Sequence, residues 1–172
     1  MKRYFLGTLL LVLGFLVVAG RGENRFLELI PAPFHPPGQL VAKVERVVDG
    51  DTIIVRLNKG RKERVRLIGI DTPETKHPSK GVEPYGREAT AFTRRLVEGR
   101  WVKLELDVQE RDRYGRLLSY VYIGDTFVNA ELVRRGYARV MTVPPNVKYA
   151  DLFLSLEQEA RRQKRGLWGL GN

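Results

Sequence analysis

From Leu40 onward, apolar and polar positions alternate in short runs separated by turn-forming residues. Leu40 to Val48 has the period of a β-strand, Asp49-Gly50 reads as a hairpin turn, and Thr52 to Leu57 as the partner strand. Asn58-Lys59-Gly60 turns the chain into a third strand, Glu63 to Ile70, which runs into a polar, proline-containing loop from Asp71 to Pro84. The period then changes. Tyr85, Ala89, Phe92 and Leu96 recur at helical spacing, and Gly99 ends that helix. Trp101 to Asp107 and Leu117 to Ile123 return to alternation as a fourth and a fifth strand. Thr126 has the chemistry of an N-cap for a second helix ending at Gly136, and Tyr149, Phe153, Leu156 and Ala160 mark a third, closed by Gly166. The pattern predicts a mainly β protein with helices (α+β): five strands forming a small, partly open barrel, with three helices inserted or appended. Period does not encode strand order, so an α+β sheet of another topology is the competing arrangement.

The first 39 residues read differently. Lys2 and Arg3 precede an apolar run, residues 4–19, that closes at Ala19-Gly20. A basic start, an apolar middle and a small-residue end make an export signal. The run is slightly shorter than the roughly 20 residues that span a bilayer comfortably, so residues 1–20 are expected to be either a cleaved signal peptide or a retained membrane anchor. Either one implies export, secreted or tethered at the cell envelope. Residues 21–39 carry Pro31, Pro33, Pro36 and Pro37, a density that blocks helix and sheet and predicts an extended linker. The folded domain is expected to span residues 40–172.

Composition narrows the chemistry. Zero cysteines remove disulfides, thiol nucleophiles and Cys-ligated metals, and His35 and His77 are too few for a multi-histidine centre. The formal charge of +10 favours polyanionic partners, nucleic acid before anionic lipid. Phosphate-cradling Gly-Lys-Ser/Thr loops and nucleophile elbows are absent. Asp49-Gly50-Asp51 is not an EF-hand fragment, because the twelfth position holds Gly60 or Lys62 instead of glutamate.

What stands out is charge in unusual positions. Asp51 follows a turn at the start of a strand, where turn chemistry alone would also explain it. Arg66 interrupts an apolar strand, a place for a snorkelling side chain on an open sheet face. Asp71-Thr72-Pro73-Glu74 gathers two carboxylates at a strand end, and Asp112-Arg113-Tyr114-Gly115-Arg116 is a turn dense in charge. Two aspartates and loop carbonyls form a hard oxygen set suited to Ca²⁺ or Mg²⁺. A further carboxylate can activate water, and two arginines can offset charge on a phosphoryl group. Together these are the parts for metal-assisted phosphodiester hydrolysis.

The sequence resembles the staphylococcal nuclease family. The matching stretches are Asp49-Gly50-Asp51-Thr52, Arg66, Asp71 to Pro78 (DTPETKHP), Lys80 to Glu83, Tyr85-Gly86, Asp112 to Arg116, Val128-Asn129, Leu132-Val133-Arg134 and Gly136, spread in order between Val41 and Trp168. The resemblance implies an OB-fold barrel and a Ca²⁺-dependent nuclease acting on DNA and RNA. It implies Asp51, Asp71 and the Thr72 carbonyl as metal ligands, Glu74 as general base, and Arg66 and Arg116 as stabilisers of the transition state. Lys80, Arg113 and Tyr114 fall at positions that contact nucleotide phosphates. Two tyrosines that stack on the nucleotide in the family are replaced, by sequence count, with Thr142 and Pro144. No protein partner is implied. A noncatalytic nucleic-acid-binding module of the same fold is the alternative, and a basic protein on an anionic lipid surface is a third reading that leaves the loop carboxylates unused.

Overall fold

A computed structural model describes residues 38–75 and 83–170. The apolar run, residues 21–37 of the proline-rich linker, Lys80 and both histidines lie outside the described residues, while Gln39, expected as linker, opens the first strand. The chain forms β1 (Gln39–Asp49), β2 (Thr52–Leu57), β3 (Lys62–Leu67), β4 (Gly69–Asp71), α1 (Gly86–Val97), β5 (Trp101–Glu105), β6 (Leu117–Ile123), β7 (Thr126–Phe127), α2 (Val128–Arg134), β8 (Arg139–Met141) and α3 (Ala150–Arg162).

Strand β1 pairs antiparallel with β2 and β5, β2 with β3, and β5 with β6. A parallel pairing of β3 with β6, Val65 opposite Leu117, closes these five strands into a mixed barrel. This is the OB-type barrel expected from the pattern. Its interior is filled by alternate strand residues, among them Val44, Val55, Val65, Leu67, Leu104 and Tyr120. Helix α1 lays Ala89, Phe92, Thr93 and Val97 inward, the i, i+3, i+4, i+8 pattern of one helix face, and packs on β1. Helix α3 buries Phe153, Leu156 and Ala160 against α2 and β8.

The structure departs from the periodic pattern at the third strand. Instead of one run to Ile70, the chain leaves the barrel after Leu67 and pairs through β4 with β8, a separate two-stranded sheet. The bend has three supports. Gly69 adopts φ +80°, the Ile68 amide donates to the Ser119 carbonyl, and Asn129, fully buried, donates to the Ile68 carbonyl while accepting from the Val121 amide. The apolar run continues through the bend, with Leu67, Ile68 and Ile70 all buried, so the pattern alone does not reveal the change of partner. Thr126 is likewise not a helix cap: it pairs with Ile123 across a Gly124-Asp125 turn, and α2 starts at Val128 with no side-chain cap. The ladder has claimed the residue that the N-cap rule would use. The fourth strand ends at Glu105, two residues short of the alternating run.

Gly69 is the position where the bend is most sensitive. A Cβ there would collide with the Phe153 ring, and the backbone is in the left-handed region. Gly69→Ala is therefore expected to cost about 1–3 kcal/mol in backbone strain and a similar amount in overpacking. Urea denaturation checks this; a loss below about 1 kcal/mol would show that the bend relaxes freely.

Candidate active site

The site is built around one buried guanidinium. Arg66, 8% exposed, folds back over the bend that follows its own strand. Its Nη1 donates to the Leu67 and Ile70 carbonyls, the latter at 2.8 Å, and its Nη2 lies 3.0 Å from Asp71 Oδ1 and 3.3 Å from Asp51 Oδ2. This is not a side chain snorkelling on an open face. It is a charge enclosed by two carboxylates and two carbonyls, the kind of pairing that a buried cation requires.

Asp51 is 6% exposed. Its Oδ2 accepts from the Thr72 amide at 2.9 Å and the Thr72 hydroxyl at 3.0 Å, and its Oδ1 from the Thr52 hydroxyl at 3.0 Å. These bonds fasten the β1–β2 turn to the strand end 21 residues later. The approach needs Gly50, since a Cβ there would lie 2.8 Å from Thr72 Oγ1. Asp71 remains half exposed, at the edge of the cluster.

Glu74 sits on the loop beyond β4. Its amide donates to a Glu83 carboxylate oxygen at 3.1 Å, and its carbonyl accepts from the Glu83 amide. Gly86, at the start of α1, leaves room for the Glu74 and Pro73 carbonyls, which a Cβ would meet at 2.9 and 3.0 Å. Asp49 anchors the same loop by accepting from the Thr75 hydroxyl at 2.8 Å.

The carboxylates act on one another. Burial, then the charge of Asp51, pushes the Asp71 carboxyl above its ordinary range despite Arg66 and Arg139. Burial also raises Glu74, followed by Asp49, Asp51 and Asp71. Such mutual repulsion is relieved by a cation. The donors fit a hard divalent ion: Asp51 and Asp71 converge on the same Arg66 nitrogen, Thr72 is tied to Asp51, and every candidate ligand atom is oxygen. Among the described residues, no three histidine, aspartate or glutamate side chains are gathered into a cage. An ion here would rest on two carboxylates and a carbonyl, with water or substrate completing its shell.

Arg116 stands across a cleft of about 180 Å³ whose lining includes Arg66, Arg116, Ile70, Leu118, Met141 and Val143. Asp112 orients it. One carboxylate oxygen accepts from Arg116 Nε at 2.6 Å, and the other from the amides of Tyr114 and Arg116, both at 2.9 Å. Tyr114 is 68% exposed, with the guanidinium centres of Arg113 and Arg116 lying 4.8 and 5.5 Å from its ring centre. Thr142 and Pro144 are exposed and do not line the cleft; Met141 and Val143 do. The far wall is held by Asn146, which accepts from the Gln109 amide and donates to the Gln109 carbonyl, both at 2.8 Å.

Asp51, Arg66, Asp71 and Thr72 thus meet in one cluster with Glu74 on the adjoining loop, Arg116 shares a cleft with Arg66 and has Arg113 and Tyr114 beside it, and Lys80 lies outside the described residues. Sequence reasoning assigned no role to Asp112, Glu83 or Asn146. Asp112 carried a readable signal, an acid four residues before an arginine in a glycine turn; Asn146 carried none. Partial burial opposes the Asp112 charge, but the bonds from Arg116 and Tyr114 outweigh it and hold the carboxyl below its ordinary range. A depressed carboxylate stabilises the fold above the unfolded pKa and loses that contribution as pH falls through the folded one. The stability gap between the native chain and Asp112→Asn should therefore be level near neutrality and close below about pH 4. Urea midpoints against pH test this, and a gap persisting at about pH 2 would refute it.

The chain is similar to known proteins over most of its length. The family described as staphylococcal nuclease homologue matches residues 64–169. The chain is 38% identical over 168 residues to the thermonuclease of Staphylococcus hyicus, covering 98% of this chain and 99% of that protein. It is 46% identical over 125 residues to the thermonuclease of Staphylococcus intermedius, covering 73% and 74% respectively. It is also 46% identical over 127 residues to endonuclease YncB of Bacillus subtilis (strain 168), covering 73% of this chain and 60% of that one. The chain belongs to the staphylococcal nuclease family.

Proposed function

We propose that the chain is a Ca²⁺-dependent endonuclease that hydrolyses phosphodiester bonds in DNA and RNA. Nuclease activity follows from its relatives, which are named thermonuclease and endonuclease. The observation that carries the finer reading is Arg66, which touches Asp51 and Asp71 while lining one cleft with Arg116. Acidic and basic groups with opposite tasks meet there at hydrogen-bond distance.

Asp51, Asp71 and the Thr72 carbonyl would hold the calcium, which when bound supplies a Lewis acid that withdraws charge from a phosphate oxygen. Glu74 takes a proton from the attacking water. Arg66 and Arg116 stabilise the negative charge that grows on the phosphoryl oxygens, binding the transition state more tightly than the ground state. Arg113, Tyr114 and Lys80 contact the flanking nucleotide, with Tyr114 offering a ring already flanked by two guanidinium groups. The chain divides into an export signal or anchor (residues 1–20), a linker (21–39) and the nuclease domain (40–172), and acts outside the cytoplasm. A noncatalytic nucleic-acid module is less favoured, because binding alone does not need Asp51, Asp71 and Glu74 pressed together against their own repulsion.

Incubating the full chain with plasmid and with RNA, in calcium or in excess chelator, tests the reading. Cleavage of both polymers in calcium and none in chelator is expected; equal cleavage in chelator would end the metal mechanism. Arg116→Lys should lower turnover by about 10³-fold or more while the chain stays folded, since lysine lacks the planar fork. Glu74→Gln should slow single-turnover cleavage by about 10²–10⁴-fold. Native rates in either variant would remove that residue from its role.

A further inference from the structure

One strongly charged surface is left unused by this reading. Arg46, Arg87 and Arg94 line a groove of about 670 Å³ between β1 and α1, with Thr75, Thr90 and Glu98. Two features of local structure bring the arginines together. Arg87, Thr90, Arg94 and Glu98 recur every three or four residues and form one stripe along α1 and its C-cap. Arg46 is turned outward by an irregularity in the β1–β2 pairing between Val44 and Arg46. Val44 and Val47 are both buried although strict alternation would put them on opposite faces, so the bulge sets Arg46 on the outside.

Glu98 is the acidic member of the groove. Its carboxylate accepts from the Val47 amide at 2.9 Å and lies 3.5 Å from Arg94 Nε, which leaves the lining net positive among the described residues. The groove also reaches the candidate site. Thr75 and Thr90 both donate to Asp49 Oδ1, at 2.8 and 3.3 Å, and Thr75 directly follows Glu74 in the chain. A strand with its scissile phosphate beside Glu74 can therefore continue over Thr75 between the arginines. None of the large apolar side chains exposed among the described residues lies in the groove, so it lacks the apolar wedge of a lipid-binding surface.

We propose that this groove is a phosphate track for the nucleic-acid strand flanking the scissile bond, making a polynucleotide of many residues the preferred substrate over a short fragment. The proposal rests on the nuclease reading for the position of the strand. Guanidinium forks bind phosphate oxygens in pairs, and each neutralised phosphate releases counterions, so occupancy of the track has a salt signature.

The test is fluorescence anisotropy of the full chain with single-stranded DNA of about 3 and about 20 nucleotides, in chelator to hold off cleavage, across a salt series. For the triple substitution Arg46→Gln, Arg87→Gln and Arg94→Gln, the slope of log affinity against log salt for the long strand should fall by about 2, or about 0.7 per lost phosphate contact. That amounts to about a hundredfold loss at 0.1 M salt relative to 1 M, while the short strand shifts less than about twofold. If the triple variant melts early, Arg87→Gln with Arg94→Gln on the exposed helix stripe should still lower the slope by about 1.4. An unchanged slope for the long strand overturns the track. So does equal loss for both lengths, or loss of binding to phosphatidylserine vesicles with DNA binding intact. If the native chain leaves DNA uncut in calcium yet the slope change appears, the track stands and the hydrolytic reading falls.

Discussion

A guanidinium held away from water must be matched on nearly every donor, and Arg66 obtains its partners only because the chain bends immediately after it. Two acceptors are carbonyls of the bend itself, Leu67 and Ile70, and two are carboxylates, Asp71 just past the bend and Asp51 from the neighbouring hairpin. A straight third strand would carry the Ile70 carbonyl and Asp71 out of reach. Removing one acidic partner from such a cluster leaves a poorly compensated charge, which costs more than the pair contributes. Gly69, Asn129 and Ser119, which maintain the bend, thus belong to the site's architecture although none bears charge.

Long-range and short-range electrostatics run in opposite senses. The chain carries a formal +10, a field that draws polyanions toward it. At the centre, however, Asp49, Asp51, Asp71 and Glu74 crowd together, and the carboxyls of Asp71 and Glu74 are lifted by burial and by their neighbours. A polyanion brought in by the outer field meets a negative core unless a cation sits there. On the proposed reading, a divalent metal and nucleic acid would support one another's binding, each supplying charge that the other lacks.

Two turns give the cleft its shape, and both rely on a side chain that closes on backbone. Asp112 accepts from two amides of its own turn and aims Arg116. Asn146 clasps Gln109 with both ends of its amide and fixes the wall that carries Val143. Reacting groups must be held within a fraction of an ångström to act together, and short polar clasps hold surface loops that a hydrophobic core cannot reach.

The five barrel strands, the α1 and α3 stripes and the charged turns were legible in the sequence, because each is written in local spacing: period two, period three to four, and glycine at reversals. Asp51, Arg66, Asp71, Glu74 and Arg116 stand out there as charge in an apolar run, at a strand end or in a tight turn, whereas Thr72, Arg113 and Tyr114 are picked out only by the family resemblance. The break at Ile68, the use of Thr126 as a strand residue, the cleft wall from Met141 and Val143, and the clasp of Asn146 on Gln109 were not legible. Each depends on a partner far along the chain, such as β8 for β4 or Gln109 for Asn146. Local spacing records which face a residue shows, while the identity of what lies against that face is settled only when distant segments compete for the same hydrogen bonds and the same buried volume.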